Sequence, residues 1–408
     1  MGKPLGMRQL LSWSTCATSA DCVGVTRQPY NRCLTHLEAE ELEAHLATLT
    51  PGQALDLRGT TVPAGLLDRI LAAMENVVGR ARFDQAVFCS PARFGDVTFN
   101  GDASFDEARF DALASFFNTR FRGNVSFKGV RFGREISLYG SRVRGHLSMD
   151  ESAVASDALF GEACFGSASF RRAEFHGFSS FDQARFHGDA TFRGARFSRP
   201  VSFLKTAFEG AAGFQSVRFG AKAFLAPAVV GRHLALTQAR ASGPVELHVT
   251  GCPVDLSEAR VLGRLTVRAG DADLDLTGLT SRGRSKVGRK GGPIRVLSIA
   301  ALDADDLTIE GADLTRCHLP GVVNADRLRL RDCVFAASPG GRRQLRFSWP
   351  PLRRTFFSRV SWVALLALVA VAAALWSSTP QQQNRHPRPA VTQGGTWAHS
   401  SGTDQGSP

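Results

Sequence analysis

Phenylalanine recurs in this chain at spacings that alternate between five and six residues, and few folds accept that rhythm. One track runs Phe83, Phe94, Phe105, Phe116 and Phe127, each 11 apart, and continues as Leu138, Met149 and Phe160. It slips by one residue to Phe170, then resumes at Phe181, Phe192, Phe203, Phe214, Leu225, Leu236 and Leu247. A second track lies five residues later. It runs from Phe88 to Phe132, then through Val143, Val154 and Phe165, takes the same slip to Phe175, and continues to Phe219 and Val230. The two tracks hold 22 of the 29 Phe, against two Tyr in the whole chain, so the repeated slot wants a ring without a hydroxyl. A fixed short period of this kind means a stacked repeat.

Each track residue follows, two positions later, a small one such as Ala81, Ala86, Ala92, Val125, Ala190 or Val201. Positions i and i−2 share one face of a strand, so both point inward, and the polar residue between them points out. A helix would need apolar residues at i+3 and i+4, which the run lacks. The unit is therefore a very short strand followed by a turn.

Segments such as FDQARFHGDATFRGARF (181–197) resemble the Phe-centred bacterial pentapeptide-repeat proteins. The resemblance covers about residues 81–252, and LTIEGADLTRCHL (307–319) extends it more weakly to about 335. It implies a mainly β fold: a right-handed, four-sided β-helix of about 20 residues per coil. Alternation of five and six raises the expected coil to about 22 residues. At a rise of roughly 4.8 Å per coil, eight to eleven coils are expected. Stacked rings would fill the interior and leave no cavity for a substrate.

The predicted organisation has six parts. Residues 1–50 form a small Cys/His module with one helix, which Thr35 and Glu38 would cap. Residues 51–80 carry a second helix, starting near Pro63, that caps the first coil. The β-helix occupies 81–336. A basic linker spans 337–355, a transmembrane helix 356–377 and a disordered tail 378–408. Within the β-helix region, SRGRSKVGRKGG (281–292) reads as a protruding basic loop.

Charge locates the membrane signal. The net charge is +12, and residues 337–359 supply six Arg and no acid. Next comes Val360 to Trp376, 17 residues with one Ser and no charge, with Trp362 and Trp376 near its ends. That length reaches the lower limit of a membrane span, and tryptophans anchor at interfaces. The positive side faces the cytoplasm. Arg342, Arg343, Arg346, Arg353 and Arg354 would then meet anionic lipid headgroups. The expected location is a bacterial cell membrane, crossed once, with the β-helix in the cytoplasm and the tail outside. The start, MGKPLGMRQLLSWSTC, lacks the apolar stretch of a secretory signal, so the thiols are expected to stay reduced.

Two sets of residues are candidate sites. Cys16, Cys22, Cys33 and His36 have metal-ligand spacing, C-x5-C-x10-C-x2-H, and Cys3His sets hold structural zinc with no open coordination position. The outward position of the second track carries Arg109, Arg120, Arg131, Arg142, Arg185, Arg196, Arg218 and Arg240, a strip for an acidic partner. On the first track that position is mostly Ser. Such close arginines repel unless acids intervene, and Asp106, Glu107, Asp111, Asp182 and Asp189 are the expected acids.

No catalytic set emerges. His176, His187, His233 and His248 are scattered, and no phosphate loop or nucleophile elbow is present. The expected function is a non-catalytic, membrane-anchored scaffold for a protein partner. The alternative is a nucleic-acid or topoisomerase-related factor. The best-known members of the family resemble DNA through an acidic surface, whereas residues 81–336 carry a net +6 here, and no aromatics interleave outside for base stacking.

Overall fold

The computed structural model describes residues 11–336 except residue 228. The basic linker, the apolar run and the tail predicted for 337–408 lie outside the described residues. No helix among the described residues is long and apolar enough to cross a membrane.

The chain winds as a β-solenoid of about 13 turns. Four parallel ladders run along it. One passes through Leu55, Ala81, Ala103 and Val125, and a second through Val62, Phe88, Phe110 and Phe132. A third joins Ala92, Ala114 and Ile136, and a fourth joins Val78, Phe99 and Phe121. Most strands are two residues long, one inward and one outward, as the small–polar–large unit requires.

Paired residues are 22 apart over most of this region, so one coil is two 11-residue units. Phenylalanines one coil apart stack. Phe83 and Phe105 have ring centroids 4.6 Å apart at 19°, and Phe88 and Phe110 lie 4.5 Å apart at 5°. First-track rings from opposite sides meet edge to face, as Phe94 and Phe105 do at 5.6 Å and 83°. Offset stacks and edge contacts are the favoured aromatic geometries. The track rings are fully buried and fill the interior.

The one-residue slip is absorbed at a corner. Phe165 and Phe170 are five apart where six is usual, and the register shifts between Val143 and His146 opposite. Gly166 sits at this corner. A Cβ there would lie 2.3 Å from the Arg144 carbonyl oxygen of the preceding coil, so no side chain fits.

Four expectations need correction. The coil starts one turn before the phenylalanine track, because Leu55–Asp56 already pairs with Ala81–Arg82; the turns therefore exceed the expected eight to eleven. The second helix, Leu66–Ala73, is shorter than predicted and lies inside that first turn; Val77–Val78, expected as its end, is a strand. The first helix, Ala39–Leu46, is capped not by Thr35 but by Glu38, whose N–H donates to the Glu41 carboxylate at 2.9 Å. Thr35 instead donates its hydroxyl to the Thr61 carbonyl.

The fourth correction is the largest. Residues 280–289, read as a loop, form the ten-residue strand Thr280–Arg289. Ser281, Ser285 and Val287 turn inward, and the Ser281 and Ser285 hydroxyls bond each other at 2.6 Å. The basic residues turn out, and Arg282 meets Asp303 and Asp305 of the next coil.

From about residue 240 the coil changes size. Leu234, Val254 and Leu274 pair at intervals of 20, as do Arg240, Arg260 and Thr280. Leu236, Leu256 and Leu276 replace the rings. Here strands run longer, for example Val245–Thr250 and Asp303–Glu310.

Candidate functional site

The N-terminal module converges on the four residues singled out by spacing. A short hairpin places Cys16 and Cys22: Thr15 bridges Val25, and the Cys16 amide donates to the Gly24 carbonyl at 2.7 Å. One 3-10 turn, Leu34–His36, places His36 three residues after Cys33. Gly24 has to be glycine, because a Cβ there would lie 2.8 Å from the Cys33 Cβ.

His36 Nδ1 lies 3.3 Å from Cys16 Sγ, 3.5 Å from Cys22 Sγ and 3.3 Å from Cys33 Sγ. Cys22 Sγ and Cys33 Sγ are 3.8 Å apart, and all four ligand atoms lie within 4.8 Å of one another. The edges of a tetrahedron around zinc, with bonds of about 2.3 Å to sulfur and 2.0 Å to nitrogen, would be roughly 3.8 Å and 3.5 Å. The group can hold a metal ion.

The thiols are electrostatically unlike. Burial pushes Cys33 up to about 12, helped by the neighbouring Cys22 and Cys16 sulfurs. Burial also opposes ionisation of Cys16, but hydrogen bonds from Thr18, the Cys33 backbone and His36 outweigh it and bring that thiol to about 6. Three crowded sulfurs cannot all carry charge without a cation to share it.

The module is docked on the first turn. The Val25 amide donates to the Arg58 carbonyl at 2.8 Å, and the Trp13 indole N–H donates to the Val23 carbonyl. The Arg58 guanidinium lies over the Trp13 ring at 4.9 Å while binding Asp56 at 2.7 Å. A Cβ on Gly59 would fall 2.4 Å from the Val23 carbonyl oxygen, so the contact is backbone to backbone.

The arginine series splits over two faces, as two 11-residue units per coil require. Arg109 pairs with Arg131 on one ladder, and further along it Arg196, Arg218, Arg240 and Arg260 occupy consecutive coils. Arg120 and Arg142 pair on another ladder, which also carries Arg185. Arg109 binds Asp111 at 2.5 Å, and this pair holds Asp111 below the usual carboxylate range. Arg196 binds Glu174, and Arg185 lies 3.8 Å from Glu209. Arg120, Arg131, Arg142, Arg218 and Arg240 have no carboxylate within ion-pair distance among the described residues.

Of the acids expected to intervene, only Asp111 does. Asp106 and Asp182 instead accept hydrogen bonds from the outward serines of the next coil, Ser126 and Ser202. Asp182 also accepts from the Leu204 amide at 2.8 Å. Glu107 accepts from Gln85, and Asp189 accepts from the Ala211 amide and pairs with Arg232. The serine columns are therefore tied into coil-to-coil bonding, and the arginine columns are largely left for solvent or a ligand.

Sequence reasoning missed one charged feature. A groove of about 950 Å³ lies against the strands Leu265–Gly270, Thr280–Arg289, Asp303–Glu310 and Leu328–Arg331. Its signal was a period of 20 to 23, hidden by searching at 11.

Comparison with known proteins gives one match. Residues 105–153 and 160–206 match a family model described as pentapeptide repeats (9 copies). No curated protein and no solved structure matches the chain.

Proposed function

Because this is a pentapeptide-repeat protein, we propose that it is a non-catalytic scaffold, anchored in a membrane by residues 356–377, which docks an acidic protein partner on its outer faces. The observation that carries this reading is the contrast between interior and exterior. Rings occupy the inside of the coil, so recognition falls to the outside. There, Arg218 and Arg240 stand on adjacent coils with no acidic neighbour, roughly 4.8 Å apart. Like charges at that distance are costly in isolation and are stabilised by an anionic surface. The apolar stretch Val360–Trp376 behind six arginines supports the anchor.

The test is capture from detergent-solubilised membranes. We expect a partner that co-purifies with the native chain and is lost from R218E/R240E. Identical profiles would remove the arginine column from the interface. Recovery of the native chain in the soluble fraction without detergent would refute the anchor.

The N-terminal group carries a separate reading, a structural zinc ion held by Cys16, Cys22, Cys33 and His36. Tetrahedral edge distances and a crowded set of sulfurs favour it. Zinc would supply the positive charge that lets all three thiolates coexist, and four protein ligands leave no catalytic position. Metal analysis of the full chain should find about one zinc per chain, lost in C33S. A metal-free native chain with the hairpin intact would refute the site.

A further inference from the structure

The groove on the last coils differs from the rest of the surface. Two outward columns line it. One runs Glu246, Thr266, Lys286, Thr308, Arg329, and the other His248, Arg268, Gly288, Glu310, Arg331. Gly288 leaves a notch in the second column. A Cβ there would meet only the Lys286 side chain at 3.3 Å and the Glu310 carboxylate at 3.9 Å. Eight basic side chains line the groove, and Glu310 is the one acid in its lining.

Glu310 is taken by Lys286, and Asp306 beside the groove serves Arg284 and Arg329. Arg264, Arg268, Arg289, Lys290 and Arg331 have no carboxylate within ion-pair distance among the described residues. Elsewhere the same coils are balanced: Arg282 is held by Asp303 and Asp305, and Arg295 by Asp273. Earlier on this ladder, the outward residues Ser115, Ser137, Ser180 and Ser202 are neutral. The excess positive charge is thus confined to one face at one end. That is the end from which the chain continues into the arginine-rich segment 337–359 and the apolar run.

We propose that this groove seats the phosphates of anionic lipid headgroups, so that the last coils rest on the bilayer surface. The proposal extends the membrane reading above. A rigid strand pair sets the spacing of the cations: roughly 4.8 Å between coils and 7 Å between alternate residues of a strand. The Gly288 notch admits a phosphate between Arg268 and Arg331. Each basic residue near an anionic surface strengthens attachment about fivefold.

The test uses the full chain with L365R and L368R, which break the apolar run and make attachment reversible. Co-sedimentation is measured with vesicles of phosphatidylcholine, alone or mixed with phosphatidylglycerol. Binding is expected only with phosphatidylglycerol, and R268Q/K290Q/R331Q should weaken it about 100-fold. R120Q/R142Q, on another face, should change it less than about threefold. Equal binding of the groove variant and its parent would overturn the proposal. So would displacement from the vesicles by duplex DNA at equal phosphate concentration, which would reassign the groove to nucleic acid. Detergent-free solubility of the unaltered chain refutes the span alone, because the vesicle comparison does not use it.

Discussion

The phenylalanine-cored coils, about 81–240, and the aliphatic-cored coils that follow share one set of ladders yet differ in circumference. Where Phe181, Phe192 and Phe203 interleave, a coil takes 22 residues. Where Leu236, Leu256 and Leu276 replace them, it takes 20. A ring needs more room than an isobutyl group, and close-packed interiors leave no slack. The corner lengths therefore follow from the core. The two regions differ outside as well. Two-residue strands display one outward side chain per coil, whereas strands of five to ten residues display two or three and can build a groove.

The sharpest way to break the comparison is to empty it. Phe181→Ala removes a ring stacked on Phe160 at 4.5 Å and Phe203 at 4.7 Å. It should cost about 3–5 kcal/mol, read as lost hydrogen-exchange protection in the adjacent coils. Next comes an exchange of core types. Leu256→Phe should overpack a 20-residue coil and cost about 1–3 kcal/mol. Leu138→Phe, in a 22-residue coil between Phe116 and Phe160, should cost less than about 1 kcal/mol. Equal costs by denaturant unfolding would mean that coil length does not follow ring size.

Smaller effects separate the surfaces. Ser202→Ala removes a hydrogen bond of 2.5 Å to Asp182 and should cost about 0.5–1.5 kcal/mol. A change within error would reduce the serine columns to solvent contacts. The smallest change has the opposite sign. Ala301 sits at a corner with φ +54° and offers no side-chain bond in return. Ala301→Gly should stabilise by up to about 1 kcal/mol, seen as a raised unfolding midpoint. The corresponding corners at Gly129 and Gly194 already use glycine.

Much of this was legible in the sequence, for a physical reason. A buried ring must recur wherever the coil returns, so the tracks record the winding directly, slip included. The Cys3His spacing was legible too, because a hairpin and one tight turn bring local residues together. The first turn was hidden because the helix Leu66–Ala73 stretches the interval from Val62 to Phe88 to 26 residues. The strand Thr280–Arg289 was hidden because its inward positions include Ser281 and Ser285, which look solvent-loving until each becomes the other's partner. The acids that neutralise Arg282 come from the next coil, more than 20 residues on, and no local window contains them.

The corner at Gly166 also bears on how such a chain tolerates change over generations. A codon lost inside a short strand would turn every later side chain inside out, exposing rings and burying arginines. The same codon lost at this corner cost nothing in parity: Phe165 still pairs with Phe186 and Ala168 with Ala190. Corners are thus the places where insertions and deletions can accumulate, and the mixture of 20-, 21- and 22-residue coils in one molecule is what such a history would leave.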